Sequence, residues 1–303
     1  MDMMTSRSLA FDRKKLAAHA MKAAIQARNV AGVDFVSPVN AYDACEKHGV
    51  IVRFNDISME GMYDREPKPR IHISSLRPLA RRNLTCAHEL GHHVFGHGST
   101  IDELNNRVHI ADHNDPIEFI ANQFAYFLMM PTLGVRNALA SRKIDLGTVS
   151  AKELFAISSN FGVGYTTLLN HLRYSLNLLP DPQFQTLRRV TPKVLRSELL
   201  QTDTETPVVL VDECWSSPTI DLETDDFLVL PSRLSTAPKQ LCFIGRVPNG
   251  FAYQACHSGI GRAEIAALGS AYFVRVAKRS TVDGRSVGYI GLAKYRHLED
   301  EDE

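Results

Sequence analysis

The chain has 303 residues, of which 44% are hydrophobic, and this length allows two or three domains with a sizeable core. Lysine plus arginine and aspartate plus glutamate number 34 each, so the overall charge gives no reason to expect a nucleic acid or a membrane as partner. No apolar stretch resembles a signal peptide or is long enough to span a bilayer, and the five cysteines are scattered and odd in number. We therefore expect a cytoplasmic protein with free thiols.

The first 75 residues predict two helices followed by a small sheet. An amphipathic helix rich in Ala, Lys and Arg is expected over residues 12–29, and a second helix runs from Val39 to His48. Three short runs bounded by turn-forming residues, at 50–54, 61–63 and 70–74, are typical of strands.

The most informative segment is His88-Glu89-Leu90-Gly91-His92, which lies in a helix predicted from Leu79 to Phe95. Histidines four residues apart lie one turn apart on the same face of a helix, so both rings can bind one Zn²⁺. The neighbouring carboxylate of Glu89 can then take a proton from a metal-bound water. His93 and His97 lie on other sides of the helix and are not expected to join the pair. The competing interpretation is a surface helix that carries these residues by coincidence.

A catalytic zinc needs a third protein ligand, and the next strong helix, predicted over residues 115–131, offers one. Glu118 and Asn122 lie four residues apart near the apolar face of that helix. A carboxylate in this position is costly unless a cation meets it. We predict that Glu118 is the third ligand and that Asn122 orients one of the ligand histidines.

Other assignments of the third ligand stay open. Glu118 can instead be a solvated acid in the first helical turn, where the helix dipole favours it. His109, Asp112 and His113 are rival ligands in the preceding loop, and His113 is alternatively a residue that stabilises the oxyanion of the reaction.

Residues 151–173 have the helix, glycine-containing turn and helix of a helix-turn-helix unit. A DNA-reading unit would present basic and amide side chains on its second helix, where Thr166, Thr167, Asn170 and Arg173 are available. Because few of these are basic, we favour a scaffold role over DNA contact. After Pro180-Asp181-Pro182 come five short strand-like runs, which predict a β-rich final third, and residues 299–303 are an acidic tail.

Taken together, these blocks resemble the ImmA/IrrE family of zinc metallopeptidases over roughly residues 40–180. The resemblance rests on Arg81 and on the runs LTCAHELGH at 84–92, EFIANQFA at 118–125 and LMMP at 128–131. It implies that His88, His92 and Glu118 bind the metal and that Glu89 is the general base. Family members often carry Arg-Phe where this chain has Asn83-Leu84, and the double histidine ending at His93 is unusual, but neither departure touches that chemistry.

The resemblance also implies a substrate class, since family members typically cleave helix-turn-helix repressors of the XRE type. By analogy with zinc peptidases in general, an exposed edge strand would bind extended substrate, and Arg70–Ser74 is our candidate for that strand. Certain radiation-response relatives carry a GAF-like sensor after the helix-turn-helix unit, which makes a sensory or docking role for the last third an expectation by analogy.

The sequence thus predicts an α+β protein in three parts. A zincin-like metallopeptidase domain with a small sheet and the HExxH helix covers residues 1–140, a helical HTH-like segment covers 141–182, and a β-rich, GAF-like domain covers 183–303. The predicted function is zinc-dependent cleavage of an XRE-type repressor, which derepresses a stress or mobile-element regulon. The alternatives are a DNA-binding transcriptional regulator with a structural or sensory zinc site, and an inactive peptidase fold that holds a repressor without cutting it.

Overall fold

A computed structural model of the chain describes residues 11–55, 59–102, 115–282 and 285–288. His109, Asp112, His113 and the acidic tail at 299–303 lie outside these ranges, so the roles predicted for them stay predictions.

The described ranges contain nine α-helices, several of them bounded by the capping residues that sequence rules favour. Asp12 caps the first helix by accepting a hydrogen bond from the Lys15 amide, and Gly32 ends it in the left-handed conformation at φ +70°. None of the helices in the described ranges is both long and apolar enough to cross a membrane. The helices are α1 Arg13–Ala31, α2 Ala41–Lys47, α3 Leu79–Val94, α4 Pro116–Met129, α5 Thr132–Ser141, α6 Ala151–Asn160, α7 Tyr165–Asn170, α8 Asp181–Leu187 and α9 Pro192–Leu200.

Four strands form the N-terminal sheet in the order β1-β3-β2-β4. They are β1 Ile51–Asn55, β2 Gly61–Asp64, β3 Arg70–Ser74 and β4 Thr100–Asp102. β1 pairs with β3 in parallel, whereas β2 runs antiparallel to both β3 and β4. Ile71 and Ile73 are fully buried on the face that packs against α3, while Arg70 and His72 alternate with them on the other face.

The prediction that Arg70–Ser74 is an edge strand is wrong. β3 lies inside the sheet, because β1 occupies one of its sides and β2 the other. Among the described residues, the edges of this sheet are β1 and β4. The strand run itself was recognisable from its β-branched residues, but strand order depends on long-range pairing that the run does not encode.

Helix α4 packs against both α1 and α3 beside this sheet. Arg28 of α1 is fully buried and donates from Nη1 to the carbonyl of Leu128 at 2.5 Å and from Nε to the carbonyl of Asp34 at 2.8 Å. The bond to Leu128 ties α1 to the C-terminal end of α4, and the bond to Asp34 holds the loop that follows α1. A continuous hydrophobic core extends from α1 through the helical segment to β5.

The last third of the chain is β-rich, as the sequence predicts. One sheet has the order β5-β7-β9-β8 and another the order β10-β11-β6, and apolar side chains from both form a second core. A hairpin of β12 and β13 follows. The strands are β5 Val208–Leu210, β6 Thr219–Glu223, β7 Phe227–Leu230, β8 Leu241–Val247, β9 Gly250–Ala255, β10 Gly259–Ile265, β11 Ser270–Ala277, β12 Arg279–Val282 and β13 Arg285–Gly288.

Polar contacts join this β-rich part to the helices that precede it. Arg82 of α3 forms a completely buried ion pair with Glu223 at the end of β6. Arg142 donates to both carboxylate oxygens of Asp212, at 2.6 and 2.8 Å. Through Arg82, the helix that carries the HExxH segment is therefore linked directly to the C-terminal sheets.

The expectation of five free thiols is wrong for two of them. Cys242 in β8 and Cys256 just after β9 form a disulfide with a Cα–Cα distance of 6.0 Å. The β8–β9 hairpin brings them together, and a spacing of 14 residues gave no sign of that pairing. Cys45 and Cys86 are free and buried with their sulfurs 3.4 Å apart, as small apolar side chains of the core.

Candidate metal centre

Helix α3 carries the HExxH segment on its buried side. His88, Glu89 and His92 are 6%, 0% and 0% exposed, so three polar side chains lie inside the protein at adjacent turns of one helix. Burying such groups is costly unless each finds a polar or ionic partner. The surface-helix interpretation of this segment does not agree with that burial.

The third predicted ligand comes from α4. Glu118 Oε2 lies 3.3 Å from His88 Nε2, Glu118 Oε1 lies 3.5 Å from His92 Nε2, and the two Nε2 atoms are 3.0 Å apart. A tetrahedral zinc with bonds of about 2.0–2.1 Å requires its ligand atoms to be separated by about 3.3 Å. The three side chains therefore already have the spacing of a three-ligand metal site, and together they form a His-His-Glu cluster that could hold a metal ion.

Close packing between α3 and α4 brings these three side chains together. A Cβ built on Gly91 would lie 3.1 Å from Phe124 Cδ1 and 3.2 Å from Ala121 Cα, so the two helices meet where α3 has no side chain. A glycine inside a helix costs about 1 kcal/mol relative to alanine. Gly91 allows α3 and α4 to approach closely, and this approach brings Glu118 within reach of both histidines. We infer that the packing offsets the cost of the glycine.

Each histidine of the cluster has a hydrogen-bond partner at its other ring nitrogen. His88 Nδ1 is 3.0 Å from Asn122 Oδ1, and because an amide oxygen only accepts, the His88 ring carries its proton on Nδ1 and leaves Nε2 free to bind a metal. His92 Nδ1 is 2.9 Å from Nδ1 of His97. The chain turns back after α3 at Gly96, with φ +69°, and the His97 amide donates to the His92 carbonyl at 3.0 Å.

The electrostatics of the cluster favour a charged carboxylate. Burial raises the pKa of Glu118, but the adjacent imidazoles of His88 and His92 lower it by more, and the net pKa lies far below its ordinary value. Burial and the neighbouring His92 lower the pKa of His97, so its ring is neutral at pH 7 and its Nδ1 can accept the His92 proton. The site thus offers two imidazole nitrogens and one anionic oxygen, a set that suits Zn²⁺.

Glu89 lies against the N-terminal sheet. A Cβ built on Gly61 of β2 would lie only 2.6 Å from Glu89 Oε1 and 2.6 Å from Thr85 Cγ2. The backbone of β2 therefore lies directly against the Glu89 carboxylate, and the strand tolerates this contact because residue 61 has no side chain.

The structure accounts for the remaining histidines near the segment. His93 points away from the cluster and its Nδ1 lies 2.9 Å from the hydroxyl of Tyr63, with the two rings packed edge to face. Sequence reasoning excluded His97 as a ligand but missed its contact with His92, because that contact depends on the turn at Gly96. The contact of Gly61 with Glu89 was also missed, and no motif around Gly61 indicated it.

The comparisons with known proteins agree with this geometry. The family model described as Peptidase_M78, IrrE N-terminal-like domain, matches residues 45–173, a range that contains all of α3 and α4. No curated protein sequence matched the chain. M78 peptidases depend on a metal ion, and the matched range includes the whole His-His-Glu cluster. The match covers somewhat less than half of the chain, and over residues 45–173 it supports the resemblance to the ImmA/IrrE metallopeptidases.

Proposed function

We propose that the protein is a zinc-dependent endopeptidase whose metal is held by His88, His92 and Glu118. The observation that carries the proposal is the separation of 3.0–3.5 Å among their ligand atoms, on two helices packed together at Gly91. When bound, a zinc ion would lower the pKa of a water and polarise the scissile carbonyl. Its identity as zinc rests on the donor set and on the family.

The side chains of the protein divide the remaining chemistry between them. Glu89, buried beside Gly61, accepts a proton from the attacking water and delivers it to the leaving amine. Asn122 and His97 orient the two ligand histidines from behind. His113, outside the described residues, remains a proposed stabiliser of the oxyanion.

For the substrate we propose a helix-turn-helix repressor of the XRE type, met in the cytoplasm, whose cleavage releases a stress or mobile-element regulon. Support for this class comes from the family resemblance. The sheet also offers a suitable edge, since β4 pairs with β2 such that Asp102 lies opposite Gly61, next to Glu89. An extended peptide could add to that edge by backbone hydrogen bonds.

Two observations weigh against DNA contact through residues 151–173. Arg173, the basic side chain available after the second helix, forms an ion pair with Asp181 at 2.9 Å. In α7 itself Tyr165, Leu168 and Leu169 are buried in the core, which suits a scaffold role.

The test is co-expression of the full chain with XRE-type repressors encoded nearby, with cleavage read by mass spectrometry. We expect a cut that is lost when zinc is chelated and restored when it is returned. The Glu89→Gln variant should retain zinc and lose cleavage, whereas His92→Ala should lose zinc. Cleavage by Glu89→Gln at the wild-type rate would contradict the general-base assignment, and DNA binding without cleavage of any repressor would favour the regulator.

A further inference from the structure

A cavity of about 540 Å³ lies on the outer face of the N-terminal sheet, on the opposite side from α3. Its lining comes from three parts of the chain, namely β1, the turn between β2 and β3, and β3. Three of the lining side chains are cationic: Arg53, Lys68 and Arg70. The metal centre contributes none of its residues to this cavity.

None of these three cations forms an ion pair within the described residues. Arg53 donates only to the carbonyl of its neighbour Val52, at 3.5 Å. The nearest strand partner of Arg70 is Asp64, directly opposite it in the β2–β3 register, but the Asp64 carboxylate accepts hydrogen bonds from Ser99 Oγ and the Glu66 amide instead. Three cationic side chains thus line one cavity, and none of them has an ion-pair partner among the described residues, which favours the binding of an anion.

The register of the sheet places these groups close together. Arg53 pairs with His72, and Ile51 pairs with Arg70. The two arginines therefore lie on adjacent strands and are offset by two residues along the strand direction. At the usual strand spacing their Cα atoms are separated by about 8 Å. Arginine side chains on neighbouring strands are long enough to reach one anion together, and Arg presents planar paired donors that match phosphate.

His72 adds a neutral donor to the floor of the cavity. Its Nδ1 lies 3.1 Å from the side-chain nitrogen of Asn55, which only donates, so the ring proton is on Nε2. Burial lowers the pKa of His72, and the charges of Arg70 and Arg53 lower it further against an opposing effect of Asp64. The ring is therefore an uncharged hydrogen-bond donor at neutral pH, held in place by Asn55.

We propose that this cavity binds a small ligand that carries two or more phosphate groups. Its volume lies within the range of about 300–1,000 Å³ that is common for small-molecule sites. Three cations without an ion-pair partner in the described part of the chain, together with one neutral donor, match the charge and the oxygen-rich surface of a polyphosphate. The site is independent of the peptidase chemistry, because it shares no residue with the metal centre.

Isothermal titration of the full zinc-loaded chain with inorganic tripolyphosphate at 150 mM salt tests the proposal. The variant Arg53→Gln/Arg70→Gln should bind at least tenfold more weakly than wild type. The control Lys239→Gln/Arg246→Gln removes the same charge from exposed positions in the C-terminal part and should stay within twofold of wild type. All three proteins keep the metal cluster, so any contact of the probe with zinc is common to them.

A local probe keeps the test informative if the double variant is unstable. Tripolyphosphate should shift the His72 ring signals of the wild-type protein in NMR spectra and leave those of His257 unchanged. Three results would contradict the proposed site. They are the absence of saturable binding, equal weakening of binding in both double variants, and an unmoved His72 signal. A labelled single-stranded oligonucleotide provides the alternative. If it binds through the same arginines more tightly than tripolyphosphate, the cavity is a nucleic-acid site and the proposal of a small ligand is wrong.

Discussion

Replacement of Gly61 by alanine tests whether the sheet positions Glu89, the proposed general base. The new Cβ would lie 2.6 Å from Glu89 Oε1, and ordinary contact begins at 3.4 Å, so the carboxylate must move by about 0.8 Å. Thr85 Cγ2 lies equally close and blocks a shift of the new methyl group to that side. A displacement of about 1 Å in a catalytic group costs on the order of 100-fold in rate, or about 2.7 kcal/mol of activation free energy.

The assay compares kcat/KM for repressor cleavage with zinc content in the same preparations. We expect Gly61→Ala to cleave about 100-fold more slowly while it binds zinc as wild type does, since His88, His92 and Glu118 do not contact residue 61. Gly245→Ala is the matched control, because a Cβ built there meets nothing within 4 Å. A Gly61→Ala enzyme with wild-type activity would refute the argument, and loss of zinc would show that the clash falls on the ligands instead.

Three further predictions concern zinc affinity, stability and pH. His97→Ala removes the partner of His92 and should weaken zinc binding by about 10- to 100-fold in chelator competition, with partial recovery in His97→Asn. Glu223→Ala removes the carboxylate that pairs with the buried Arg82, which should cost about 3–5 kcal/mol and lower the Tm by about 5–8 °C, whereas Arg82→Met/Glu223→Leu should recover most of the loss. Burial lowers the pKa of His171 from 6.5 to about 4, so the unfolded chain binds more protons between these values. Stability should therefore be complete above pH 6.5 and fall by about 3 kcal/mol as the pH drops to 4, a dependence that His171→Gln should reduce in urea titrations.

Each of these has a result that would contradict it. His93→Ala should leave zinc affinity unchanged, and an effect as large as that of His97→Ala would mean that both act through general packing. Glu205→Ala removes an exposed ion pair and should cost less than about 1 kcal/mol, so an equal loss in Glu223→Ala would argue against an uncompensated buried charge. An unchanged pH profile in His171→Gln would assign the acid loss to other groups.

Local features of this protein were predictable because they depend on residues near one another in the chain. The histidine spacing in α3 and the apolar period of α4 predicted both helices to within two residues at each end. The run Arg70–Ser74 matched β3 at both ends. The grouping of Glu118 with His88 and His92 was also predictable, since a carboxylate near an apolar helix face requires a cation.

The pairing of distant strands and cysteines was decided by the tertiary structure alone. Strand pairing places β3 inside the sheet, and hairpin register brings Cys242 to Cys256. Backbone hydrogen bonds between strands are the same for every residue type, so neither pairing leaves a distinct pattern in the sequence.

For the same reason, the sequence predicts the candidate metal ligands but does not predict the residues that support them. The sequence alone identifies His88, Glu89 and His92, because the helical period puts them on one face. Gly61 and His97 reach the site through a strand packed against α3 and through a left-handed turn at Gly96, both of which exist only once the chain has folded. The sequence by itself determined which side chains can bind a metal, and only the folded packing decided what holds them in place.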